Sequence, residues 1–229
     1  MIDTFYIGAY WRNRKELLNR VVNPTLQTLR ELSEVDKQFL NLYELGMSRQ
    51  QALEHRISLT PEYIERLYRG RVKKNDLDQD GYNKIGYRLS LWTGHKEGEA
   101  STISFNAGSS SKRLTDLCLI NLPSEGAAKN RLLQLDKVKE IIKLLIRNWN
   151  PDTVVLNSKE LSEALDTMNE LGWVTYTKNV KTWLKLSDNI VHEKSFFGGH
   201  LFYLKTENNL AYDYNLISQL LSVKKEVVT

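Results

Sequence analysis

Apolar and polar positions change their spacing repeatedly along the chain, and each change marks the border of an element. From Phe5 to Trp11 nearly every residue is apolar or aromatic, the pattern of a buried strand. From about Asn13 into the 30s, Leu17, Leu18, Val21, Leu29 and Leu32 recur on one side of a helix. Pro24 should kink or split that helix, because it takes a hydrogen-bond donor out of the interior. Two shorter helices follow. One spans Ser48 to His55 with Ser48 as N-cap, and the other runs from Pro61 to Arg69, where Thr60 caps a first-turn proline and Gly70 ends the element.

Three strand-like runs come next, Tyr87 to Trp92, Ser101 to Ala107 and Asp116 to Leu122. Turn signals at Gly94 to Gly98 and Gly108 to Ser111 separate them at the intervals of an antiparallel meander. The strongest helical signal is Arg131 to Trp149, where Leu135, Val138, Ile142, Leu145 and Trp149 recur at steps of three and four before Asn150-Pro151 stops the run. Thr153 to Leu156 reads as a short strand and Lys159 to Leu171 as a helix with Leu161, Leu165 and Met168 on one side. Gly172 then fits a left-handed helix cap. Trp173 to Tyr176 and Leu201 to Lys205 read as further strands, and Tyr212 to Leu221 as a closing helix. Strands grouped in the middle, with helices before, between and after them, predict an α+β fold with a largely antiparallel central sheet, and residues 1–229 read as a single domain. A doubly wound parallel sheet would need regular strand-helix alternation, which the meander lacks.

Composition narrows the classes. With 41% hydrophobic and 26% charged residues the chain is ordinary for a globular protein. No window reaches the roughly 18 uncharged apolar residues of a membrane span. Asp3 stands where a secretory signal would carry basic residues, so a cytoplasmic location is expected. The one cysteine, Cys118, lies in an apolar run and reads as a buried, inert thiol. The formal net charge of +4 is mildly basic. Its densest run, Arg66, Arg69, Arg71, Lys73 and Lys74, is followed at once by Asp76, Asp78 and Asp80, which cancel its field within a Debye length of roughly 10 Å. A nucleic-acid-binding module built on that 66–74 run is the alternative function; a solvated loop is the preferred reading.

Candidate chemistry is sparse. Asp76-Leu77-Asp78-Gln79-Asp80-Gly81 matches the first half of a calcium-binding loop, but the bidentate acid expected at its last position is Tyr87, and Lys84 stands at another ligand position. His55, His95, His192 and His200 lack zinc-ligand spacing. Phe197-Gly198-Gly199-His200 lacks the lysine and hydroxyl residue of a phosphate loop and reads as a tight hairpin turn. The expectation is therefore a chain that is not an enzyme, with no catalytic residue, no metal and no cofactor. Five tryptophans carry the specification instead, as core anchors or as partner-facing groups.

Several short motifs, in this order, carry a resemblance to a known family: Ile7-Gly8-Ala9-Tyr10-Trp11 with Arg14-Lys15-Glu16, Gly46-Met47-Ser48-Arg49 with Ala52, Ile85-Gly86-Tyr87, Leu91-Trp92-Thr93-Gly94, Leu122-Pro123 with Gly126, Trp149-Asn150-Pro151-Asp152, and Gly172-Trp173-Val174-Thr175-Tyr176. Together they resemble the immunity protein 52 family of bacterial polymorphic toxin systems. Thr93 departs from the asparagine more frequent there, and Lys178 to Ser195 follows no pattern of the family. The resemblance implies a cytosolic antitoxin that binds and neutralises a cognate toxin domain, commonly a restriction-endonuclease-fold nuclease, with no direct contact to nucleic acid or membrane.

A plug for a nuclease active site should be acidic, whereas this chain is basic overall. Either a local acidic patch acts, with Glu97 and Glu99 or Glu160, Glu163, Asp166 and Glu170 as candidates, or inhibition works away from the active site. Strand ends and loops are where rigid scaffolds present binding groups. Trp11, Arg12, Trp92, His95, Glu97 and Glu99 are accordingly the expected toxin-binding residues.

Overall fold

The first strand of the chain lies in the middle of the sheet. The computed structural model describes residues 4–12, 14–166, 171–179 and 190–204. Strand β1 (Phe5–Arg12) is flanked by β5 (Thr115–Asn121) on one side and β6 (Thr153–Ser158) on the other, both antiparallel to it. Outward from β5 come β4 (Thr102–Ala107), β3 (Tyr87–Trp92) and the two-residue β2 (Tyr43–Glu44). Outward from β6 come β7 (Val174–Thr177), β9 (Gly199–Leu204) and β8 (Ile190–Phe196). Every pairing among the described strands is antiparallel, in line with the largely antiparallel sheet expected, and the turn signals fall between β3, β4 and β5 as the meander predicts.

Alternation along β1 sets the layers. Phe5, Ile7, Ala9 and Trp11 are buried, and in register with them lie buried Ile120 and Cys118 on β5 and Leu156 and Val154 on β6. That face carries the helices. Helix α1 (Leu18–Val35) turns Val21, Val22, Leu26, Leu29 and Leu32 inward, and α5 (Leu135–Trp149) lies across it with Val138, Ile141, Ile142, Leu145 and Trp149. Helix α3 (Pro61–Arg69) packs on α1 and β3. On the opposite face, Gly8 leaves room for the ring of Tyr10 two residues on; a Cβ there would lie 2.4 Å from the tyrosine hydroxyl.

Several borders differ from the periodicity, each for a local reason. Helix α1 begins at Leu18 and continues across Pro24 without splitting, because its buried face is held by the sheet and by α5. The long run to Trp149 divides into α4 (Gly126–Leu132) and α5, with Gln134 extended between them and Arg131 turned onto the buried carboxylate of Asp36 by two hydrogen bonds of 3.0 and 2.9 Å. Strand β2 is too short for an alternation to register, and β8 is too polar. Gly172 does not cap a helix in the left-handed region. Helix α6 (Lys159–Leu165) ends on Asp166, which takes that conformation with φ 48°. Gly172 is required by space, since a Cβ would stand 2.3 Å from the Leu156 carbonyl oxygen. The predicted caps Ser48, before α2 (Arg49–Leu53), and Thr60, before α3, both accept backbone N–H groups. The predicted closing helix at 212–221 and Met168 lie outside the described residues.

Candidate functional site

The motif residues of the two chain halves meet around one aromatic pair. Trp11, at the end of β1, stacks on Trp149, at the end of α5, with ring centroids 5.1 Å apart, and Phe105 adds a third ring 5.7 Å from Trp149. The Trp149 indole N–H donates to the Thr28 hydroxyl at 2.9 Å, which satisfies its polar handle inside the core. Arg14 donates to the carbonyls of Trp149 and Asn150, capping the exposed end of α5, while its guanidinium lies 5.8 Å from the Trp11 ring. The Arg12 backbone N–H donates to Asp152 at 2.9 Å. These residues close the fold on itself.

Asp116 is part of the same knot. Fully buried, it accepts the backbone N–H groups of Gly108, Ser109 and Arg14. Burial outweighs these donors and pushes its carboxyl up to about 6. A group whose pKa is higher in the folded than in the unfolded protein contributes stability that is full below the unfolded value and fades as pH rises through the folded one. The protein should therefore lose stability between about pH 4 and pH 6 through this group, by about 1.4 kcal/mol for each pH unit that separates the two pKa values. Denaturant titrations of wild type and Asp116→Asn over that range check it: the variant should lack this component, and parallel curves would refute the assignment.

The acidic loop that resembles half a calcium site is closed by a cation of the chain itself. Lys15 Nζ lies 3.0 Å from Asp80 and 3.5 Å from Asp78, with the Tyr82 ring 4.3 Å beneath it. Among the described residues no group of three or more His, Cys, Asp or Glu side chains is placed to hold a metal ion. Within the basic 66–74 run, Arg66 stacks on Tyr63 and Arg69 pairs with Glu65. Cys118 is buried, and burial pushes its thiol up, far from a reactive thiolate.

Exposed residues gather instead at the other end of the sheet. The register Trp92↔Thr102↔Asn121↔Tyr6 puts the end of β3 at the same end of the sheet as the start of β1. Trp92 is half-buried, its ring 6.2 Å from Tyr43, and the next residues form a loop with a fastened base. Thr93 accepts the Ser101 N–H through its hydroxyl, and the buried Gln38 amide donates to the Glu99 carbonyl. The Gly98 carbonyl accepts N–H groups from Ser124 and Glu125. Gly94 has φ 78°, and a Cβ there would lie 2.5 Å from the Tyr43 ring, so no side chain fits that turn. On this frame His95, Lys96 and Glu97 are exposed, and Glu99 is half-buried in a salt bridge with Lys96 at 3.1 Å. Beside the loop, α2 and the turn before it present Leu45 (53% exposed) and Met47 (97%), fixed by the Met47 N–H donating to Gln51 and by Arg49 donating to the Gly94 carbonyl.

The six expected contact residues therefore do not form one patch. Trp92, His95, Glu97 and Glu99 stand together. Trp11 is a core residue, 2% exposed, because β1 runs through the sheet's centre and its odd positions face the helices. Arg12 is exposed but lies at the opposite end of the strands, about 20 Å from Tyr6 at the rise of an extended chain. The alternative acidic group divides as well: Glu163 and Asp166 are exposed on or beside α6, Glu160 is half-buried, and Glu170 lies outside the described residues. Sequence reasoning missed Leu45 and Met47 as surface groups. Their signal was faint: two apolar residues on either side of Gly46, just before an N-cap serine.

Comparison with known proteins follows the same lines. A family model described as Immunity protein 52 matches residues 3–185. No curated protein matches the chain. Among solved structures, one titled "Pseudomonas aeruginosa T6SS protein PA0821" is similar with a TM-score of 0.56 at 10% identity, over 99% of this chain and 76% of that one. At that identity the likeness is one of fold.

Proposed function

The chain belongs to the Immunity protein 52 family, and on that premise we propose that it works in the cytoplasm as the antitoxin of one cognate toxin, a nuclease of the restriction-endonuclease fold, which it neutralises by protein-protein contact. The match over residues 3–185 carries this reading. The geometry supports it: the motif residues Trp11, Arg14, Trp149 and Asp152 are spent on holding the fold, which leaves loops on a rigid frame to meet a partner. No helix among the described residues is long and apolar enough to cross a membrane.

The loop at 94–99, with Trp92, is one contact surface in this proposal. Its two acids follow Lys96, which pairs with Glu99, so it offers a mixed pattern of charge rather than a block of negative charge shaped like DNA. With a chain that is basic overall, inhibition by binding beside the nuclease active site fits better than a mimic of the phosphate backbone. Co-purification of the tagged chain with the toxin domain encoded beside its gene is the direct test, and failure to capture it in an otherwise folded state would end the reading. Glu97→Lys should leave stability within about 0.5 kcal/mol, because Glu97 is exposed. It should slow toxin association, and more so as salt falls. Equal association rates at low ionic strength would remove the loop from the interface.

A further inference from the structure

Strands β8 and β9 join through Phe197-Gly198, a two-residue turn in which both residues have positive φ, 47° and 81°. Such turns favour Asn-Gly, since a bulky side chain is disfavoured in the left-handed region. Phenylalanine in the first position is therefore a costly choice. It is also not needed for the core: Phe197 is 48% exposed, and a Cβ added at Gly198 would meet nothing within 4 Å. The ring is nonetheless held. It lies 5.3 Å from Phe196, and the Lys143 ammonium of α5 sits 5.8 Å from the Phe196 ring centroid and 5.7 Å from that of Phe197. Just before the turn, Ser195 also takes positive φ, at the irregularity in the pairing of β8, and Lys194 is exposed. The register Tyr10↔Thr153↔Thr177↔His200 brings this tip to the same end of the sheet as exposed Arg12.

The hairpin lies outside the span matched by the family, 3–185, although it pairs into the same sheet. Resting on the antitoxin reading above, we propose that the β8–β9 tip is a contact surface for the cognate toxin, with Phe197 as aromatic anchor and Lys194, Lys143 and Arg12 facing an acidic surface of that toxin. The cations decide the chemistry of the partner face. An acidic surface is not the phosphate-binding cleft of a nuclease, so this contact sits beside that cleft or behind it. Interface affinity is concentrated in a few anchors, aromatic or arginine side chains that fill a pocket on the partner.

The test separates turn geometry from recognition. Phe197→Asn restores the favoured turn, so its melting temperature should equal or exceed that of wild type, while its affinity for the toxin domain encoded beside the gene should fall at least tenfold. Lys194→Glu should slow association, with the difference widening at low salt. Wild-type binding matched by Phe197→Asn would overturn this proposal and leave the antitoxin reading standing. A wild-type chain that does not bind that toxin would overturn the antitoxin reading, and this one with it.

Discussion

Trp149→Ala should lower stability by about 3 to 5 kcal/mol, the usual cost of emptying a buried tryptophan site. For a chain of this size that is a fall in Tm of roughly 6 to 20 °C. Three interactions vanish together in this variant. Trp149 is 4% exposed, its ring stacks on Trp11 at 5.1 Å and lies 5.7 Å from Phe105, and its N–H satisfies the buried Thr28 hydroxyl. Neighbours cannot collapse into the gap, since Trp11 is fixed in the central strand and Thr28 in α1. Trp149→Phe divides the effect: most of the packing stays and the hydrogen bond goes, at about 1 kcal/mol. Thermal melts of the two variants check this. A Trp149→Ala protein melting within two or three degrees of wild type would show that the pair does not anchor the fold.

Gly172→Ala, just before β7, should be the most damaging of the glycine-to-alanine changes, at about 1 to 3 kcal/mol or more. The added Cβ would stand 2.3 Å from the Leu156 carbonyl oxygen and 3.0 Å from its carbon, and both are backbone atoms of β6, a strand paired on both sides. Nothing there can swing aside. Gly8→Ala is the informative control. Its Cβ would meet the Tyr10 ring and hydroxyl at comparable distances, but a half-buried side chain can rotate away. The order of cost should thus be Gly172→Ala above Gly8→Ala. Denaturant unfolding of both gives the answer, and the reverse order would mean that β6 yields more easily than its pairing suggests.

Much of this architecture was legible in the amino-acid sequence because short-range physics wrote it there. The apolar spacing of α5, the alternation of β3 to β5 and the caps at Ser48 and Thr60 depend on residues within a few positions of one another, so they survive without knowledge of the fold. The family motifs were legible for the same reason, although the sequence did not reveal what they do. Only the tertiary structure brought Trp11 to Trp149 and Arg14 to the end of α5, across more than a hundred residues.

The candidate surface divides along the same line. His95 and Glu97 could be read as exposed because a glycine-bounded loop has few ways to bury them. Trp11 could not be assigned, since a strand's alternation says which residues share a face but not which face meets the helices. That choice was made by the long-range register of β1 between β5 and β6, which turned Trp11 inward and set Arg12 and Trp92 at opposite ends of the strands. Gly172 makes the point at one atom: the sequence allowed a left-handed cap, and the proximity of the Leu156 carbonyl, sixteen positions away, supplied a different reason for the missing side chain.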